Sequence, residues 1–431
     1  MLGGGTFVTQ NKVLPGSYIN FVSLAKASAT LSNRGIVAMP LELDWGVESA
    51  VFEVTKADFQ KNSLKIFGYA YTDEKMKGLR DLFMNIKTLY AYRLTSGGNK
   101  ATNTFATAKF GGIRGNDLKI VIQANVDVPA DFDVKTVLGT TVVDEQTVSS
   151  AAELVANDYV TFKTGATLAV TASTPLTGGT NGTVDGTAHQ AALDKFEAYS
   201  FNALGVVTTD EVTKGLYVNF AKRLRDEVGQ KFQVVVHNKA ADYEGVVNVK
   251  NNATESTAAL VYWVTGIIAG CEVNKSNLNK KYDGEFTVEA DYTQAQLEAA
   301  IKAGEFALHK VGSDIRVLSD INSLVTVSDT KGEIFKDNQT VRVMDQIAND
   351  IAVLFNTKYL GNVPNDAAGR ISLWSDIVKH HEQLAEIRAI EDFSDADVVV
   401  SQGDTKKSVV VQDAVTVVNA MAQLYMTVVM G

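Results

Sequence analysis

Apolar residues along this chain follow two alternating spacings. Short β-branched runs at 35–39 (closed by Pro40), 89–94, 233–236 and 245–249 predict buried strands. Helical spacing marks 73–86, where Met76, Leu79, Leu82, Phe83 and Ile86 share one face. A second helix carries Leu193, Phe196, Phe201 and Leu204, before a short strand at 205–207. Thr208 and Glu211 offer a capping box, after which Val212, Leu216, Phe220 and Leu224 recur every four residues. An apolar helix is predicted over 257–271. Two long amphipathic helices follow, one over 341–359 with Val343, Ile347, Ile351, Leu354 and Phe355 inward. The other comes after Pro364-Asn365, with Ile371, Trp374, Ile377, Val378, His381 and Leu384 inward and His380 outward. Strand-helix-strand alternation implies parallel pairing covered by helices.

Residues 97–182 break this rhythm. Thr, Val, Ala and Gly dominate, and strands are predicted at 118–123, 140–143, 160–164 and 168–171. The fold class is therefore α/β (α+β multidomain), in six segments. These are an N-terminal arm (1–25), a first α/β portion (26–96), an inserted β-rich domain (97–182), a central α/β domain (183–328), a C-terminal domain (329–423) and a terminal arm strand (424–431).

Both chain ends are apolar. Residues 424–431 form a β-branched run, and 6–9 and 17–22 read as extended pieces around Pro15-Gly16. Chain ends stay disordered unless something holds them, and a bare apolar strand invites pairing with another chain. A hairpin is expected from 397–401 and 408–412, joined through Gln402-Gly403-Asp404. Two adhesive ends on a large body suggest a polymer-forming subunit.

Composition narrows the alternatives. The chain has 431 residues, 45% hydrophobic and 21% charged, ordinary globular values. A formal net charge of −10 argues against sequence-independent nucleic-acid binding, which needs clustered cations. The lone Cys271 lies in an apolar run and is expected to be a buried thiol. No basic and apolar leader is visible at Met1, so assembly in a bacterial cytoplasm is expected. No apolar run is long enough to predict a membrane span.

No catalytic, cofactor-binding or metal residue is assigned. The glycine-rich stretch 177–183 lacks the Lys-Ser/Thr of a phosphate loop and reads as a structural turn. His380-His381 has the wrong spacing for helical chelation, which favours residues three or four apart. His237 has no nucleophile elbow to serve. The acids Glu386, Glu391, Asp392, Asp395 and Asp397 read as a solvated face. So do the bases Lys222, Arg223 and Arg225 and the pair Lys280-Lys281, unless an acidic partner meets them.

Several spaced motifs together resemble the contractile tail sheath proteins of myophages and phage-tail-like bacteriocins. They are Pro15-Gly16-Ser17-Tyr18-Ile19-Asn20-Phe21, Pro40-Leu41-Glu42-Leu43-Asp44-Trp45-Gly46 and Thr177-Gly178-Gly179-Thr180-Asn181-Gly182. Val363-Pro364-Asn365-Asp366-Ala367-Ala368-Gly369-Arg370 and the stretch from Val418 to Val428 complete the set. The resemblance implies hexameric rings stacked as a helical sheath around a tail tube protein, ended by baseplate and tail terminator proteins. It also implies terminal strands exchanged between neighbours. The residues assigned to that exchange are Tyr18, Ile19, Phe21, Val398, Val400, Val409, Val411, Tyr425, Thr427 and Val429. The rival readings are an α/β enzyme with a β accessory domain and an unrecognised ligand site, and a surface-layer or adhesive β-protein, which usually carries a secretion signal.

Overall fold

The computed structural model describes residues 30–430. They form two compact units, one of residues 33–348 with 417–430, the other of 30–32 with 349–416.

The larger unit is built on a seven-stranded sheet. Its order is Glu305–Phe306, Val246–Val249, Gln233–His237, Ala203–Gly205, Ile36–Leu41, Thr88–Arg93 and Val51–Thr55. All neighbours pair in parallel except the last two, which are antiparallel. Alternate residues serve opposite faces. Val37, Met39 and Leu41 enter one core with helices Lys77–Phe83 and Leu260–Gly270; Ala38 enters the other, with Gly186–Phe196 and Glu211–Arg223. Burial on both faces explains why these strands are continuously apolar.

Several local expectations shift. Pro40 lies within its strand rather than closing it, because the short Ala203–Gly205 neighbour pairs only with Val37 and Ala38 and asks no donor of Pro40. Phe201 and Leu204 leave the helix, which ends at Phe196, and the strand begins at Ala203. Asp210, not Thr208, caps the next helix, its carboxylate accepting from the Thr213 N–H at 2.7 Å. That helix buries Tyr217 and Ala221 and leaves Val212 74% exposed. A strand at Val51–Thr55 running into the Lys56–Phe67 helix was not anticipated.

The inserted domain is a four-stranded antiparallel sheet, ordered Thr141–Val148, Phe132–Leu138, Leu118–Ala124 and Thr171–Pro175. A second pair, Ala106–Ala108 with Val160–Phe162, faces the same core, where Leu118, Ile120, Ile122 and Val134 meet Trp45. The strand expected at 168–171 falls at 171–175, and Phe132–Leu138 is additional.

In the smaller unit the Ala367–Glu386 helix packs Leu373, Ile377 and Val378 against Leu354, Tyr359 and Val398. Its apolar stripe runs through 373, 377, 381 and 384. Ile371 therefore faces away at 63% exposure, and His380 is buried at 1%, both reversing the expected orientation.

Candidate functional site: open strand edges and an unpaired terminal segment

The predicted hairpin forms one residue later than expected, from Val398–Gln402 and Val409–Asp413. Val400 stands opposite Val411, and Ser401 opposite Val410. The Gly403 N–H donates to the Ser408 carbonyl at 2.9 Å, and Ala414 N–H to the Asp397 carbonyl at 3.1 Å. Bonded pairs alternate in an antiparallel ladder, so residues 397, 399, 401 and 403 direct their backbone groups inward. The N–H and C=O groups of Val398, Val400 and Gln402 point out along one edge. Those of Val409, Val411 and Asp413 point out along the other. This sheet has two strands among the described residues, so neither edge meets a third.

The side chains turn the other way. Val398 is 3% exposed in the core, and Val400 and Val409 pack against it. Val399 and Val410 stand on the outer face, half exposed. The four assigned valines thus offer backbone to a partner; the side chains of Val398, Val400 and Val409 hold the hairpin to the domain, and that of Val411 is 38% exposed. The helix behind adds a polar anchor. His381 Nε2 lies 2.9 Å from an Asp413 carboxylate oxygen, and His381 Nδ1 lies 2.9 Å from the Ile377 carbonyl. His380 Nε2 lies 3.0 Å from Asp350. Each imidazole lies within 3.0 Å of a carboxylate oxygen, and no group of three metal-ligating side chains occurs among the described residues.

The terminal segment belongs to the larger unit. Residues 418–430 have no regular secondary structure, and Met421, Leu424, Tyr425, Met426, Val428, Val429 and Met430 are between 69% and 100% exposed. After Asp413 the chain carries no charged side chain. The assigned Tyr425, Thr427 and Val429 lie in this segment; Tyr18, Ile19 and Phe21 lie outside the described residues.

Elsewhere the candidate polar groups already have partners within the fold. The glycine-rich stretch packs against the inserted domain, with Gly179 N–H donating to Asn116 Oδ1 at 2.8 Å. A cavity of about 200 Å³ at the carboxyl end of the Ile36–Leu41 strand is lined by Asp44, Tyr69, Lys75, Asn181 and Tyr262. The Asp44 carboxylate already accepts from the Tyr69 hydroxyl at 2.7 Å and Asn181 at 2.9 Å. Desolvation opposes the ionised Asp44, but these bonds and Lys75 outweigh it and hold the carboxyl below its usual range. Burial pushes the imidazoles of His189 and His237 down; His237 Nε2 meets Asn252 Oδ1 at 3.0 Å, not a nucleophile. Arg225, expected on a solvated face, is 4% exposed and grips Asp345 at 2.6 and 2.8 Å. Cys271 is half-buried rather than enclosed, and burial raises its thiol.

Comparison with known proteins identifies this architecture. The phage tail sheath β-sandwich domain matches residues 96–181, the phage tail sheath central domain 182–323, and the phage tail sheath C-terminal domain 330–431. The N-terminal region of domain III of the tail sheath protein Gp18 matches 34–94. A sheath tail protein of Desulfitobacterium hafniense superimposes with a TM-score of 0.80 at 38% identity, covering 90% of this chain and 93% of that one. The chain belongs to the phage tail sheath family. The Listeria innocua sheath tail protein gives a TM-score of 0.78 at 32% identity, over 92% of this chain and 95% of that one. The Bacillus subtilis phage-like element PBSX protein XkdK is 32% identical over 99% of both chains. The contracted helical sheath of the anti-feeding prophage shares the fold, with a TM-score of 0.56 at 13% identity, covering 96% of this chain and 98% of that one. This family's chains are structural, and the present one is a sheath subunit of a bacteriophage-type tail. No described helix is long and apolar enough to cross a membrane.

Proposed function

We propose that this subunit polymerises as stacked hexameric rings around a tail tube, between a baseplate and a terminator. Contraction of the lattice then drives the tube through a target envelope. The reading rests on one observation: a two-stranded hairpin open along both edges, in a chain whose uncharged final residues stand exposed. Exposed edges and unpaired apolar segments are complementary, since strand addition satisfies the backbone of both. Terminal strands of neighbouring subunits occupy the two edges, linking bodies that rotate and slide during contraction. No nucleotide is consumed; if roughly 100 coupled subunits each release about 0.1 kcal/mol, the total of about 10 kcal/mol exceeds what a two-state switch requires.

Electron microscopy of full-length protein and of a variant truncated after Ala420, over a concentration series, tests this. Ring-stacked tubes from the first and none from the second are expected. Equal assembly by both refutes strand exchange by the C-terminal segment.

A further inference from the structure

The terminal segment has a built root. Gln339, in the first turn of the Asn338–Leu354 helix, is 2% exposed. Its Nε2 donates to the Val418 carbonyl at 2.9 Å, and its Oε1 accepts from the Ala420 N–H at 3.0 Å. These are the two bonds that a residue of a parallel neighbouring strand makes to positions i and i+2. One side-chain amide thus takes the place of a strand. Thr340, also 2% exposed, adds a second tie: the Asn419 Nδ2 donates to its hydroxyl at 3.0 Å.

The clamp residues are themselves fixed. The Asp337 carboxylate accepts from the Thr340 N–H at 3.0 Å, capping the turn. Asn338 accepts from Gln233 of the central sheet at 2.8 Å and donates to Asp320 at 3.1 Å. Beyond Ala420, the Tyr425 hydroxyl donates to Gln423 Oε1 at 2.9 Å, within the segment itself.

We propose that Gln339, helped by Thr340, is the positioning residue of strand exchange. It fixes where the arm leaves the body and so sets its length and aim. This rests on the strand-exchange reading above. The eleven residues 421–431 span up to about 36 Å at about 3.3 Å per residue. A five-residue strand matched to the hairpin edge occupies about 17 Å, leaving a tether of about 20 Å. Fixing the root restricts the volume the arm explores and raises its effective concentration at a neighbour's edge.

The test uses full-length protein and Gln339→Ala, Gln339→Glu and Thr340→Val. In the unassembled subunit, amide hydrogen exchange is expected to show protection at Ala420 and none over 421–430. Gln339→Ala should speed exchange at Ala420 about tenfold. Gln339→Glu loses the donor to Val418 but keeps an acceptor for the Ala420 N–H, so exchange there should rise less than in Gln339→Ala. Gln339→Ala should raise the concentration needed for assembly about tenfold. An unprotected Ala420 in the parent protein overturns the clamp. So does parent-like assembly of Gln339→Ala when truncation after Ala420 abolishes it, an outcome that leaves strand exchange standing. Assembly by the truncated chain removes the exchange reading itself.

Discussion

The alternation of the hairpin ladder allows two proline substitutions, one residue apart, to be set against each other. The Val411 N–H points out of the hairpin and the Val410 N–H points in, toward Ser401. Proline lacks this donor but is tolerated on an edge that faces solvent. Val411→Pro therefore leaves the internal ladder whole, and the isolated subunit should unfold within about 0.5 kcal/mol of the parent. In the assembly, one intermolecular bond worth about 1 kcal/mol is lost. A neighbour's carbonyl also stays buried and unpaired, at about 1–3 kcal/mol. The sum of about 2–4 kcal/mol corresponds to a rise of about 30- to 700-fold in the assembly concentration. Val410→Pro should invert the pattern, removing an internal bond and lowering subunit stability by at least about 1 kcal/mol. Light scattering across a dilution series reads assembly, and urea unfolding of dilute subunit reads stability. If Val411→Pro assembles at the parent concentration, this edge receives no strand and the assignment of Val409 and Val411 fails.

Three further outcomes concern the body. Burial pushes the Asp81 carboxyl up to about 6, although it accepts from the Tyr282 hydroxyl at 3.0 Å and the Glu285 N–H at 2.8 Å. A carboxyl raised above its unfolded value near 3.9 binds more protons when folded, so stability should fall by about 3 kcal/mol as pH rises from about 4 to 6. Asp81→Asn should flatten that slope in urea midpoints taken at pH 4.5 and 7. Arg225→Met strands the buried Asp345 charge and should cost about 3–5 kcal/mol, while adding Asp345→Leu recovers most of it; an uncorrected double variant would contradict this account. Gly270→Ala would place a Cβ 1.8 Å from the Asn85 carbonyl oxygen, so chemical denaturation should show a loss of about 1–3 kcal/mol.

The strands were legible because burial on both faces makes runs such as Val234-Val235-Val236 continuously apolar. Phase was harder to read. Val212 and Tyr217 are equally plausible inward residues in the sequence, and the neighbouring Phe196 and Phe232, which share Tyr217's core, decide between them. The Lys56–Phe67 helix escaped because strand Val51–Thr55 runs into it without a turn, Thr55 itself capping through the Asp58 N–H at 3.1 Å. Arg225 looked solvated because its partner Asp345 lies 120 positions away. The terminal segment was legible as unusual: an uncharged, β-branched end has no reason to stay in water unless something receives it. Its root was not, since Gln339 and Val418 are joined by folding alone.

These features divide the chain by what each part contributes to assembly. Buried ionic pairs such as Arg225–Asp345 and Arg342–Asp320 fix the larger body by satisfying charges that would be costly alone. A two-stranded hairpin, by contrast, is marginal by itself and gains from every strand added. Here it leans on the Ala367–Glu386 helix through Val398 and Val400, which spends its side chains inward and leaves only backbone at the edges. Backbone edges accept any strand of suitable register, so they supply affinity without demanding a fixed angle between bodies. Register is then set by side chains, and by where the donor strand is rooted. Under the proposed strand exchange, a subunit linked to neighbours that reorient would draw on this arrangement: a folded body, a short anchored tether, and a joint bonded through backbone.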